Sequence, residues 1–126
     1  DIVLIDWRQS FANSKNYGDI HYDFAKLAHG LIISHQLIKR DMFTISRDNN
    51  IIDIDIFRTQ HMVNCERILE KKVSESTDYS WRKIELLKAL IWLSSCPLHE
   101  YPYSEFLFYM GKYSVYKWLI NGNCLS

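Results

Sequence analysis

Glycine and proline are scarce in this chain of 126 residues, which contains four glycines and two prolines. Glycines so few and so far apart cannot form the loop that cradles nucleotide phosphates, and the Walker A, G-x-G-x-x-G and G-x-S-x-G motifs are all missing. An excess of either charge is also lacking, because 15 basic residues balance 15 acidic ones. A nucleic-acid partner and an anionic membrane surface are therefore disfavoured.

Cysteine is limited to three copies, Cys65, Cys96 and Cys124, with no C-x-x-C pair among them. Any set of disulfides would leave one thiol over, so this pattern predicts a reduced, cytoplasmic protein. No apolar run approaches the roughly 18 residues of a membrane span, and there is no signal-peptide pattern. The sequence therefore predicts a protein without a membrane span.

The composition does supply a core, since 48% of the residues are hydrophobic and 24% are charged. The continuous apolar run Ile2–Ile5 predicts a short buried strand. It follows Asp1 directly, without an initiator methionine, so we expect residues 1–126 to form a single partial domain of a longer protein. A net charge of zero gives little colloidal repulsion, which likewise favours a missing N-terminal part or a partner chain.

A helix is predicted after Asp19, which is placed to cap it. Its apolar positions recur at helical spacing: Ile20, Phe24, Leu27, Ala28, Leu31 and Ile32. From Met42 to Ile56 the period changes to two around a polar turn, which predicts a β-hairpin with Asn49 or Asn50 at positive φ.

Three further helices are predicted after the hairpin. The first begins near Phe57 and places His61 on an apolar stripe, which indicates a hydrogen-bonded core histidine. The second, Trp81–Ser95, is apolar on most faces and should be the most buried; Pro97 ends it. The third runs from Pro102 to about Ile120, with Gly122 as its stop signal. The predicted fold class is mainly α, with a short buried strand and one β-hairpin.

Carboxylates near the start of the chain are the first candidates for chemistry. Asp6 follows the predicted strand, where it could bind a metal or a phosphate, or could cap the loop. Asp19 and Asp23 are four residues apart and share a helix face. Asp23 is expected to be partly buried between Tyr22 and Phe24, and a buried carboxylate needs donors.

The histidines show no metal-binding pattern, because no H-E-x-x-H motif is present. The segment His99–Tyr103 is polar and aromatic and lies between two predicted helices. Two interpretations stay open for it: His99 and Tyr101 could form a ligand rim, or the segment could be a rigid turn.

The segment Leu4–Arg8 and, after a loop, the segment Gly18–Leu27 carry a family resemblance. Together they resemble the metal-binding segment and following helix of the aminoglycoside phosphotransferase and choline kinase-like superfamily. That pattern is an apolar strand, an Asp-centred motif and then G-D-x-x-Y-D-[LF]-A. The match spans residues 2 to about 31 and is closest to phosphotransferases of bacterial surface-polysaccharide gene clusters.

The resemblance implies the C-terminal part of the C-lobe of a protein-kinase-like fold. It implies that Asp6 binds Mg²⁺ between the nucleotide phosphates. It also implies that Asp23 braces the catalytic loop, with Asp19 as the cap ahead of it. Arg8 could contact phosphate, and His99 and Tyr101 are the remaining candidates for contact with substrate.

The resemblance also implies parts that residues 1–126 do not contain. The nucleotide loop, the ATP-binding lysine and the H-x-D-x-x-x-x-N catalytic loop all precede the metal-binding Asp in this family, so the catalytic base is expected upstream of residue 1. We therefore expect the C-terminal part of a kinase that uses Mg²⁺ and ATP, inactive by itself. Its acceptor would be a sugar or amino-alcohol hydroxyl, with the helices after residue 56 on the acceptor side.

A different class of function stays open as the alternative. In this hypothesis the chain is a non-catalytic helical interaction module, and its aspartates are structural caps. A self-contained metal hydrolase is disfavoured, because the sequence offers too few ligands.

Overall fold

The computed structural model describes residues 13–14 and 17–123. The predicted strand Ile2–Ile5 and the candidates Asp6 and Arg8 lie outside these residues. Within them the chain is mainly helical with one antiparallel hairpin, as predicted. The elements in chain order are α1 (Ile20–Ile32), α2 (His35–Ile38), β1 (Phe43–Asp48), β2 (Ile51–Ile56), α3 (Gln60–Ser74), α4 (Trp81–Ser95), a single 3₁₀ turn (Cys96–Leu98) and α5 (Tyr103–Asn123).

Helix α1 begins where the sequence predicts it, because the Asp19 carboxylate accepts a hydrogen bond from the backbone N–H of His21 at 3.0 Å. Its buried face consists of Ala25, Ala28 and Ile32. The two alanines are small enough for α1 and α4 to approach closely, and both are fully buried.

The hairpin pairs β1 with β2 in antiparallel register, from Phe43 opposite Ile56 to Asp48 opposite Ile51. Asn49 has a φ of 53°, which confirms the predicted positive φ in the turn. On the inner face, Phe43, Ile54 and Ile56 pack against the core next to Trp92 and Phe106, so the hairpin covers one end of the helices.

Helix α4 packs against α1, α3 and α5, and is the most buried helix in the described part of the chain, as predicted. Its N-cap is Ser80, whose hydroxyl accepts from the N–H of Lys83 at 3.3 Å. Four of its side chains are buried: Ile84, Lys88, Ala89 and Trp92. A lysine in this set is unusual, since lysine is rarely buried without a partner.

Two predicted helix boundaries were wrong. Helix α3 begins at Gln60 rather than near Phe57, because Thr59 supplies the N-cap and accepts from the N–H of Met62 at 3.2 Å. Gly122 lies inside α5 and does not end it. A Cβ atom at Gly122 would collide with the Arg82 guanidinium, so this glycine makes room for a side chain.

The prediction for His61 was also wrong, because this side chain is exposed on α3 and its Nε2 lies 3.6 Å from the Cys65 sulfur. Helix α3 packs on the core through Val73 and Leu69 near its end, whereas near its start Met62, Val63 and Cys65 are only half-buried. Within residues 13–14 and 17–123, no helix combines the length and apolar character that crossing a bilayer requires.

Candidate functional site

A polar cluster at the start of α1 is centred on the carboxylate of Asp19. Its Oδ1 accepts from the ring Nδ1 of His21 at 2.7 Å, and its Oδ2 lies 2.5 Å from the Lys83 ammonium. The hydrogen bond from Lys83, together with those from His21, lowers the pKa of Asp19 from 3.8 to about 2. This carboxylate therefore joins α1 to α4.

His21 is held at both ring nitrogens, since its Nε2 accepts from the backbone N–H of Ser80 at 3.1 Å. The proton therefore resides on Nδ1 and is donated to Asp19. Asp19, His21 and Ser80 have the residue types of a nucleophilic triad, yet the nitrogen that would take a proton from a hydroxyl is already occupied. The Ser80 hydroxyl itself caps α4. This cluster clamps two helix starts together and has no nucleophile.

Replacing Asp19 with alanine is expected to destabilise the chain by about 1–2 kcal/mol, the range for a lost N-cap. Asp19→Asn keeps a capping oxygen and should lose less. Because the folded pKa of Asp19 lies below its ordinary value, its stabilisation is present above about pH 4 and lost as the pH falls towards 2. Urea unfolding at pH 6 and pH 2.5 measures this effect. The difference in the free energy of unfolding between wild type and Asp19→Asn should be smaller at pH 2.5 than at pH 6. The same difference at both pH values would contradict the role of the charge.

Asp23 is exposed, so the prediction that it is partly buried was wrong. Its neighbours Tyr22 and Phe24 are half-buried, but they flank the core on opposite sides of the helix. At about 100° per residue, Asp23 lies about 200° from Ala25 and faces away from the core. No hydrogen bond or ion pair from residues 13–14 and 17–123 reaches its carboxylate.

His99 and Tyr101 lie in the connection between the 3₁₀ turn and α5, and both are exposed. The His99 ring packs edge-on against Tyr103 at 4.8 Å, and Tyr103 packs on Phe43. Burial raises the pKa of Tyr103. In the described residues no hydrogen bond or ring contact joins His99 or Tyr101 to Asp19 or Asp23.

The described residues contain no cluster of metal-ligating side chains. Within those residues, no group of three or more His, Cys, Asp and Glu side chains is placed to hold a metal ion. Asp6, the metal ligand that the resemblance implies, lies outside them, as does Arg8.

A charged cluster that sequence reasoning missed lies between α1, α3 and α4. The Glu66 carboxylate accepts from Arg58 at 2.6 Å and lies 3.6 Å from the Lys88 ammonium. Arg58 also donates to the backbone carbonyl of Leu31, at 2.9 Å and 3.2 Å. Only the single lysine inside the apolar run of α4 signalled this cluster in the sequence.

His29 and Trp92 are neighbours of this cluster, with ring centroids 6.3 Å apart. Burial, followed by the positive charges of His35 and Lys26, lowers the pKa of His29 from 6.5 to about 4. In the described structure the His29 Nδ1 and the Trp92 Nε1 are buried without a hydrogen-bond partner. The imidazole is therefore neutral at pH 7, and two polar atoms of the core are unsatisfied.

Two ligand-sized depressions lie along α5. A cleft of about 580 Å³ separates it from β2 and is lined by Tyr109, Tyr113 and Tyr116 with Asp53 and Lys112. A smaller cavity of about 340 Å³ lies between α4 and α5. Both fall within the usual size range of small-molecule sites. No protein-family model, no curated protein and no solved structure matches the chain.

Proposed function

We propose that this chain is the C-terminal helical part of an ATP-dependent phosphotransferase that acts on the hydroxyl of a sugar or an amino alcohol. The observation that carries the proposal is that the two aspartates of the G-D-x-x-Y-D-F-A segment differ in their bonding partners. Asp19 is saturated by His21 and Lys83. Asp23 lies one turn further along the same face of α1, where it is exposed and has no partner in the described residues.

This arrangement supports the roles that the resemblance implies. A cap needs its donors within its own helix start, and Asp19 has them. A brace needs donors from another segment, and a free carboxylate on the outer face of α1 is accessible to the N–H groups of a catalytic loop. Mg²⁺ and ATP would be handled by Asp6 and by residues before it, so they enter this proposal as expectations from the resemblance.

The acceptor side supports the same proposal. The cleft between β2 and α5 has aromatic walls and charged groups at its edge, which is the usual composition of a site for a small polar molecule. One wall of this cleft is α5, which is among the helices after residue 56 where the acceptor is expected, and the other wall is β2.

Phosphotransfer measurements test the proposal. Residues 1–126 alone are expected to release no ADP from ATP in the presence of sugars or amino alcohols. The extended protein, which also contains the upstream residues that the resemblance implies, should release ADP. Asp6→Ala in the extended protein should lower kcat at least about a hundredfold, because a metal ligand contributes several kcal/mol to the transition state. An extended protein that folds but does not turn over, or an Asp6→Ala variant with wild-type kcat, would contradict the proposal.

Stability measurements separate the brace from the alternative, a helical interaction module with structural caps. Asp23→Asn should leave the urea midpoint of the chain alone unchanged, and should destabilise the extended protein by about 1–3 kcal/mol as buried donors lose a charged acceptor. The capping role of Asp19 is common to both hypotheses and does not separate them. If Asp23→Asn changed the stability of both proteins equally, the interaction module would be favoured over the brace.

A further inference from the structure

The cavity of about 340 Å³ between α4 and α5 has an uneven charge. Its lining contains three cations, Arg82, Lys88 and Lys117, and one carboxylate, Glu85. Lys88 is nearly covered, with 7% of its surface exposed. No ion pair within residues 13–14 and 17–123 neutralises Arg82 or Lys117. The lining therefore carries a formal excess of two positive charges.

The buried cluster behind the cavity does not remove this excess. Glu66 is the acidic group that contacts Lys88, at 3.6 Å, and it is bound more closely by Arg58, at 2.6 Å. One carboxylate thus serves two cations. A charge removed from water is costly without a counter-charge, so the incompletely compensated Lys88 favours an anion in the adjacent space.

Arg82 is fixed at the cavity wall by Trp118. Its guanidinium lies 4.4 Å from the centre of the Trp118 ring and donates to the Trp118 carbonyl at 3.4 Å. The Trp118 indole N–H donates in return to the Arg82 carbonyl at 2.9 Å. Lys117, by contrast, is exposed and lies 5.5 Å from the Tyr113 ring. The wall thus combines one held cation with one that can move towards a ligand.

The neighbouring cleft at β2 lacks this character. Asp53 and Lys112 balance each other in its lining, and Arg47 beside it is paired with Glu105. The lining of the β2 cleft therefore has no formal charge excess that would attract an anion, whereas the lining of the α4–α5 cavity has an excess of two positive charges. Two positive charges match the dianion of a phosphate monoester better than a single carboxylate.

We propose that the α4–α5 cavity binds the phosphate group of a small phosphorylated molecule, with Lys88, Arg82 and Lys117 as the contacting cations. The Ser114 hydroxyl, which also lines the cavity, is a further donor for a phosphate oxygen. The inference does not rest on the proposed function, because binding can be measured on the chain by itself.

Titration of the full chain with inorganic phosphate and with glucose 6-phosphate, followed by the indole N–H signals of Trp92 and Trp118, tests the site. Both phosphates are expected to shift these signals with saturation, and glucose 6-phosphate more tightly. Glucose and acetate at the same ionic strength are the controls. Absence of saturation with either phosphate, or equal affinity for acetate, would overturn the proposal.

Two lysines of α5 provide a matched pair of variants. Both are exposed and lie near an aromatic ring, but Lys117 lines the cavity and Lys112 the other cleft. Lys117→Gln should weaken phosphate binding about five- to tenfold, and Lys112→Gln should leave it unchanged. Lys88→Met, which keeps the volume of the buried side chain, should weaken it at least as much. Equal effects of Lys112→Gln and Lys117→Gln would show non-specific charge attraction and would overturn the proposal.

Discussion

Glu66→Ala is expected to destabilise the chain by about 3 kcal/mol, because it leaves two cations without their shared counter-charge. The Glu66 side chain is 18% exposed and contacts Arg58 and Lys88, whose side chains are 21% and 9% exposed. Removing the carboxylate would leave the Lys88 ammonium between the rings of Trp81 and Trp92, at 5.9 Å and 5.6 Å. These ring contacts cannot replace an ion pair.

Urea unfolding at pH 7 measures this loss, and Glu70→Ala on the exposed side of α3 is its control. The control should stay within about 0.5 kcal/mol of wild type. Lys88→Met should cost much less than Glu66→Ala, since it removes the excess cation and leaves the pair of Arg58 and Glu66 intact. Similar losses for Glu66→Ala and Glu70→Ala would show that the cluster does not stabilise the fold.

The second large effect is expected at Gly111, where α5 approaches α4. A Cβ atom there would lie 2.6 Å from Leu93 Cγ and 3.0 Å from the backbone carbonyl oxygen of Ala89. Alanine would therefore push the two helices apart, and overpacking of this kind costs about 1–3 kcal/mol. We expect Gly111→Ala to destabilise the chain by about 2 kcal/mol even though alanine is the better helix former.

Gly30→Ala is the matched control, because Gly30 is also inside a helix but a Cβ atom there would meet nothing within 4 Å. Helix propensity alone then acts, and the variant should be more stable by about 0.5–1 kcal/mol. Thermal unfolding followed by circular dichroism would show midpoints that move in opposite directions. A stabilised Gly111→Ala would mean that α4 and α5 are not in close contact at this position.

The sequence was sufficient to predict those features that are determined by residues close to one another along the chain. The Asp19 cap and the turn at Asn49 each follow from a short-range preference, and the structure confirms both. The apolar character of Trp81–Ser95 likewise predicted the central helix, because a helix that is apolar on most faces has to be covered on several sides.

Predictions that depended on distant parts of the chain did less well. Asp23 was expected to be partly buried because its sequence neighbours are, but neighbours in a helix face different directions. The exposure of His61 depends on how far α3 overlaps the core, which no local pattern determines. The contact of Glu66 with Arg58 and Lys88 joins α3 and α4 with the connection that precedes α3, so it becomes visible only when the helices are packed. The roles of Asp6 and Arg8 stay predictions, since both residues lie outside the described part.

The clamp between Asp19 and Lys83 has a consequence for the folding rate. These residues are 64 positions apart, with the hairpin and α3 between them. Helix α1 can pack on α4 only after this long loop has closed. Closing the loop lowers the conformational entropy of the chain before the contacts between α1 and α4 stabilise it. Helices α4 and α5 are adjacent in sequence and have no such barrier. The topology therefore gives this helical protein slower folding than an up-and-down bundle of the same length.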